Sequence, residues 1–357
     1  VVPTPSRNGR EGTTRKGSGA MRAVRVERFG GPEVLVPAEV PAPRPGAGEV
    51  VVGVEAADVI FLDTQLRAGW GKEFFALEPP YVAGGGVVGT VASVGEGVDP
   101  ALVGRRVLSS TGERSPETGR TLAPQDGYAE YAAAPALSVT EVPDGGDGEQ
   151  ALALLSDGVT AQLIADTVAP RRGETVVVAA AAGGLGSILV QLAHAAGARV
   201  IGAARGERKR AWAAEQGAEH TVDYSEEGWT DRVLELTGGA GADVVLDGAG
   251  GALGTAAFSL TKEGGRFVGY GASGGDFADI DRDRAEERGI RALSLLELPA
   301  LDGAKDRRLL QRLLDKVEQG EISPKVGQVF PLEKAQDAHR ALAERATLGK
   351  TLLRVNG

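Results

Sequence analysis

Thr175-Val176-Val177-Val178-Ala179-Ala180-Ala181-Ala182-Gly183-Gly184-Leu185-Gly186-Ser187-Ile188-Leu189-Val190-Gln191-Leu192-Ala193 is the stretch on which the fold turns. Its unbroken β-branched start predicts a strand buried on both faces, as in a parallel sheet. A glycine turn follows, and then Leu185, Ile188, Leu189 and Leu192 recur at helical spacing. Strand, glycine turn and helix together make a seat for a pyrophosphate. Backbone without Cβ approaches the phosphates closely, and the helix N-terminus offers unpaired N–H groups at the positive end of its dipole. Ala180, Gly183, Gly184, Leu185 and Gly186 are the residues of that turn, with alanine where the usual fingerprint begins on glycine. Taken alone, the turn fits a plain strand-to-helix connection equally well.

The sequence beyond it favours a dinucleotide. Residues 199–204, 243–248 and 265–271 read as further strands separated by helical patterns. They predict an α/β fold with a Rossmann-type, doubly wound parallel sheet whose ligand lies beyond the carboxyl ends of the strands. Tyr270, Gly271 and Ser273 end one of these strands, where a nicotinamide would rest. An NAD-binding sheet usually ends its second strand in Asp or Glu, which holds the ribose hydroxyls. Here that strand ends Gly202-Ala203-Ala204 and continues Arg205-Gly206-Glu207-Arg208-Lys209-Arg210. Arg205 and Lys209 are the expected contacts of a ribose 2′-phosphate, which makes NADPH the expected cofactor. Arg208 and Arg210 read as a solvated helix start.

At 357 residues the chain is long enough for two domains. Its 39 basic and 49 acidic residues leave a net charge of −10, which argues against nucleic acid or an anionic membrane as partner. The absence of cysteine excludes disulfides, thiolate chemistry and cysteine-bound zinc, and it fits a reducing cytoplasm. No apolar run is read as a membrane span of about 20 residues. Residues 1–20 are polar and aperiodic and read as a disordered leader ahead of Met21, the only methionine. Residues 21–150 show short alternating runs broken by Gly and Pro, the pattern of an antiparallel, barrel-like domain. Within it, 109–126 reads as an extended polar loop bordering the active site. A cofactor domain over 151–320 and a return to the first domain over 321–357 complete the expected layout.

This layout resembles the zinc-free branch of the medium-chain dehydrogenase/reductase superfamily, the zeta-crystallin-like quinone oxidoreductases. The resemblance rests on Phe29-Gly30-Gly31-Pro32-Glu33-Val34-Leu35, Val94-Gly95-Glu96-Gly97-Val98, Gly127-Tyr128-Ala129-Glu130-Tyr131, Ala180 to Gly186, Gly217-Ala218-Glu219-His220-Thr221-Val222-Asp223-Tyr224 and Leu332-Glu333-Lys334-Ala335. It implies a GroES-like first domain and adds three cofactor contacts: Thr160 of Gly158-Val159-Thr160 against the nicotinamide, and Tyr224 and Arg345 near the 2′-phosphate. Zinc-dependent relatives carry metal ligands at the positions of Ile60 and Gly84-Gly85-Gly86. The only histidines, His194, His220 and His339, stand apart in sequence, so no metal is expected. Many zinc-free relatives have asparagine where this chain has Ile60, which makes the expected pocket more apolar.

Phe61, Trp70, Phe74, Phe75 and Tyr81, with Gln65 among them, concentrate aromatic side chains near Ile60 and read as a substrate wall. Gln65 cannot act as an acid. Tyr81, Tyr270 or solvent remain as proton donors, and no catalytic residue is assigned. The expected function is metal-free hydride transfer from NADPH to a quinone or an α,β-unsaturated carbonyl compound. The alternatives are an enoyl-thioester reductase, which would need a basic groove beyond Arg67 and Lys72, and a non-catalytic NADPH-binding sensor or structural protein. Residues 291–296 read as a late apolar edge strand, which a homodimer would cover.

Overall fold

β1 (Ala20–Val26) and β2 (Leu35–Pro41) open the chain as an antiparallel pair. The structure is a computed structural model that describes residues 19–72, 75, 77–112, 123–299 and 303–355. Of the expected leader, residues 1–18 lie outside the described residues, and β1 already begins at Ala20. The prolines at 37 and 41, which read as punctuation, lie inside β2. They are accommodated because β2 is the edge of its sheet, where a missing N–H breaks no second ladder.

β3 (Glu49–Val59) is the spine of a second sheet, and β4 (Tyr81–Val82) completes the first in the order β2-β1-β4. β5 (Gly86–Val94), β6 (Arg106–Ser110), β7 (Tyr131–Pro135) and β8 (Thr140–Glu141) pair antiparallel with β3 or with one another.

Six strands then form a wholly parallel sheet: β9 (Thr175–Ala179), β10 (Arg199–Ala204), β11 (His220–Asp223), β12 (Ala242–Asp247), β13 (Thr261–Gly269) and β14 (Arg291–Ser294). Their order is β11-β10-β9-β12-β13-β14, so the winding reverses between β9 and β12. That reversal leaves a crevice at the carboxyl ends, the place where such sheets bind ligands. Strand periodicity explains why β9 is apolar throughout. Val176 and Val178 pack into one core, Val177 and Ala179 into the core on the opposite face.

β15 (Val326–Pro331) and β16 (Lys350–Arg354), parallel to each other, return to the otherwise antiparallel sheet, which runs β15-β16-β3-β5-β6-β8 with β7 also on β3. Between the two sheets runs one apolar helix, Gly148–Val168, long enough by length and composition to cross a membrane. Sequence inspection misses it as a span because its parts are interrupted by Asp157 and Gly158 in a π-helical turn at Leu154–Gly158. Leu152, Leu154, Leu155 and Ile164 are buried in the same core as Val88 and Leu108 on one side and Val176 and Val178 on the other. It is a core helix that joins the two sheets.

Candidate active site

β9 hands the chain to the glycine turn through Ala180, whose φ of 61° is left-handed. An L-residue pays about 1–2 kcal/mol for that conformation, so alanine forms the turn at a strain that glycine would avoid. Gly183 caps the helix Gly184–Ala195 in extended conformation, and Gly183 N donates to Ala180 O at 3.1 Å. A Cβ at Gly186 would run into Ala180 O, and one at Gly184 into the Asp157 carboxylate. Gly183 is exposed, Gly184 and Leu185 half-buried. The first N–H groups of this helix, which have no intrahelical partner, therefore begin beside open backbone.

Arg205 follows directly on β10 and caps the helix Gly206–Glu215, whose first turn brings Lys209 alongside. Lys209 Nζ donates to Arg345 O at 2.5 Å. Burial, then the charges of Arg205, Arg345 and Arg208, holds the Lys209 ammonium below the usual lysine range. Tyr224 lies at the same corner, its phenol pushed up by burial, with its ring edge-on to Trp229. Among the described residues none of Arg205, Arg208, Lys209 or Arg345 forms an ion pair, whereas Arg210 faces Asp223 at 3.9 Å. Asp223 is the nearby carboxylate. It is spent internally, accepting from Gly206 N at 2.6 Å and from Ser225 N at 2.9 Å.

At the ends of β12 and β13, Tyr270 is buried and its hydroxyl donates to Ala179 O at 3.2 Å. Burial, then Asp247, raises that phenol well above its ordinary value, and its hydrogen bond ties the ring to the end of β9. Gly271 packs where a Cβ would meet Gly248 O at 2.5 Å, and Ser273 Oγ donates to Gly248 O at 3.2 Å. Thr160 is half-buried and lines a recess of about 190 Å³ at the joint between the sheets.

Among the described residues, the members of the expected aromatic wall differ in their surroundings. Tyr81 is in the core of the antiparallel sheet, and burial, then Asp63, raises its phenol out of the physiological range. Phe75 packs on that core, Phe61 and Gln65 are half-buried, Trp70 is 50% exposed, and Phe74 lies outside the described residues. Aromatic residues in a glycine-rich stretch look alike whether they line a pocket or plug a small sheet. Ile60 caps the helix Phe61–Ala68, with Ile60 N donating to Asp63 Oδ2 at 3.0 Å.

Sequence reading missed a buried charge cluster. Lys350 Nζ donates to Asp58 Oδ2 at 3.0 Å and to Asp157 Oδ2 at 3.2 Å, and Ser156 Oγ donates to Asp58 Oδ2 at 2.9 Å. Burial disfavours the ammonium, but Asp157 and Asp58 outweigh it and raise the Lys350 pKa. The cluster sits behind the glycine turn: Gly349 N donates to Ala182 O at 2.8 Å, and Gly183 bridges to Gly349. The signal available in sequence was a lone Asp and a lone Lys within apolar strand runs, since buried charges require partners.

Zinc does not fit this site. Side chains at Gly84, Gly85 and Gly86 would collide with Tyr128, Pro124 and Asp58, and Ile60 offers no donor atom. His339 is wholly buried, its Nε2 3.0 Å from Tyr128 Oη and its Nδ1 3.3 Å from Arg67 Nη1. Burial, then Arg67, lowers its pKa to about 3.

Two family models match the chain: an alcohol dehydrogenase GroES-like domain over residues 46–144 and a zinc-binding dehydrogenase domain over residues 184–293. The chain is 33% identical over 336 residues to a 2-haloacrylate reductase from Burkholderia sp., covering 92% of this chain and 97% of that protein. It is 32% identical over 337 residues to a Pseudomonas aeruginosa quinone oxidoreductase, covering 93% and 99% respectively. Mycobacterial Rv1454c, solved in complex with NADPH, superposes with a TM-score of 0.82 at 34% identity, over 94% of this chain and 100% of that one. Escherichia coli quinone oxidoreductase, also solved with NADPH, gives 0.83 at 27% identity with the same coverage. With its antiparallel GroES-like part, its Rossmann sheet and these relatives, the chain belongs to the quinone oxidoreductase family of the medium-chain dehydrogenase/reductase superfamily.

Proposed function

We propose that this protein is an NADPH-dependent reductase that delivers hydride, without a metal, to a quinone or an α,β-unsaturated carbonyl compound. The observation that carries this reading is the unpaired cation cluster of Arg205, Lys209 and Arg345 beside Tyr224, one strand away from the glycine turn. In this reading the helix start at Gly183, Gly184, Leu185 and Gly186 receives the pyrophosphate, Arg205 and Lys209 hold the 2′-phosphate, and Ala180 shapes the turn. The nicotinamide end lies toward Gly271, Ser273 and Thr160. NADPH supplies the hydride; the chain's residues orient the cofactor and exclude water around it. Among the described residues no group of His, Cys, Asp or Glu is placed to hold a metal that would polarise an alcohol, which favours an acceptor that is electrophilic already.

For the thioester alternative, Arg67 and Lys72 do not begin the basic groove it needs. Arg67 is buried against His339, and Lys72 sits over the Phe29 ring at 4.0 Å. The test is to follow loss of NADPH absorbance with a panel of quinones, enones and enoyl thioesters. Turnover of a quinone or an enone is expected; binding of NADPH without turnover of any acceptor would make the protein a cofactor-binding sensor instead.

A further inference from the structure

Asp157 stands where the buried charge cluster meets the glycine turn. Its Oδ2 accepts from Lys350 Nζ at 3.2 Å, and the same oxygen occupies the space that a Cβ on Gly184 would need. The two carboxylates on Lys350 differ in their access to solvent. Asp58 is sealed in, and Ser156 Oγ donates to it as well. The Asp157 side chain is 20% exposed, and its Oδ1 has no hydrogen-bond partner among the described residues. Nor, among those residues, does an N–H of the turn donate to it: Gly183 N is used by Ala180 O. The carboxylate is therefore anchored on one oxygen and free on the other, beside the helix start that seats the pyrophosphate.

We propose that Asp157 is a cofactor-binding residue whose carboxylate accepts a hydrogen bond from a hydroxyl of the nicotinamide-side ribose of NADPH. This rests on the cofactor placement in the reading given above. One ammonium faces two carboxylates here, so the cluster keeps a negative charge. A free carboxylate oxygen in such a cluster repels a phosphate and attracts a donor. Phosphates offer no donors, whereas the riboses on either side of the pyrophosphate do. The adenosine ribose belongs to the corner of Arg205 and Lys209, where its 2′-phosphate meets cations. Asp157 lies elsewhere, one helical turn ahead of Thr160 in the run Gly148–Val168, on the nicotinamide side. An aspartate that holds ribose hydroxyls is the usual device at the second strand of NAD-binding sheets. This chain uses the same chemistry at the other ribose. Lys350 fixes the carboxylate before the cofactor arrives, so little ordering is needed on binding.

The experiment measures calorimetric binding of two ligands to the full chain as wild type, Asp157→Asn and Asp157→Ala. One ligand is NADPH; the other is adenosine 2′,5′-bisphosphate, which carries the 2′-phosphate but no nicotinamide ribose. Turnover of NADPH with a quinone and an enone is followed alongside. Asp157→Asn keeps the size of the side chain and removes its charge, and it is expected to raise the Kd for NADPH about tenfold. Asp157→Ala should raise it at least as much. Binding of the bisphosphate should stay unchanged in both variants. Unchanged or tighter NADPH binding by Asp157→Asn, with acceptors still reduced, would overturn the ribose contact and leave the reductase reading intact. So would an equal loss of affinity for both ligands, which is the result of a merely structural role. Selective loss of NADPH affinity in a protein that reduces no acceptor would uphold the contact and overturn the reductase reading. Failure of wild type to bind NADPH would overturn both.

Discussion

Arg205, Lys209 and Arg345 repel one another at the end of β10, and an anion placed among them relieves that repulsion. Lys209→Ala is therefore expected to weaken NADPH binding by about tenfold to a hundredfold, the worth of one charge-assisted hydrogen bond. NADH binding should hardly change, and fluorescence titration of both cofactors reads the difference. Because the Lys209 ammonium titrates below the usual lysine value, NADPH affinity should fall on raising the pH sooner than for an ordinary lysine. In Lys209→Arg that fall should vanish, since guanidinium stays charged. Arg205 and Lys209 were singled out by their spacing from a strand end, and Arg345 by the family resemblance alone. Lys350 was not: its partner Asp58 lies 292 positions away, and only the fold brings them together. Lys350→Ala leaves the buried Asp58 carboxylate without its cation, opposite the half-buried Asp157, and should destabilise by about 3–5 kcal/mol, read by chemical denaturation.

The helix Phe61–Ala68 stands on a buried polar network whose parts pull in opposite directions with pH. Asp63 accepts from Ile60 N and from the Tyr128 hydroxyl, both at 3.0 Å, and Tyr128 also meets His339. Burial, then Asp58, raises the Asp63 pKa to about 7. The folded chain thus keeps a proton between about pH 4 and 7 that the unfolded chain has released. Stability from this group is present at low pH and is lost as the pH rises toward 7. In Asp63→Asn that loss should be missing, so its Tm relative to wild type should climb from pH 5 to pH 8. A difference that stays flat would show that Asp63 is ionised throughout. His339 acts the other way: held neutral with a pKa of about 3, it withdraws stability as the pH falls below its ordinary value near 6.5. At this scale the sequence was readable wherever periodicity was strong, as in β9 and its helix. It was not readable where tertiary contacts overrode local signals. Pro37 and Pro41 hide β2, and Tyr81 and Tyr270 look like pocket residues because chain chemistry alone cannot tell a plug from a wall.

Across the whole molecule, both sheets meet at the Gly148–Val168 helix and at the Gly349 contact with the glycine turn. The parallel sheet ends at β14, which has no strand on its outer side among the described residues, and Leu296 just beyond it is 84% exposed. An uncovered edge of this kind is an aggregation hazard, and pairing across a two-fold axis removes it. A dimer at micromolar concentration is the expected result of light scattering; a stable monomer would count against that assembly. The measurement that bears most directly on the central claim is a steady-state comparison of NADPH and NADH with one quinone and one enone. Acceptor-dependent oxidation should favour NADPH by at least about tenfold, and Lys209→Ala should erase most of that preference. Equal use of NADH, or no oxidation of NADPH with either acceptor, would contradict the account.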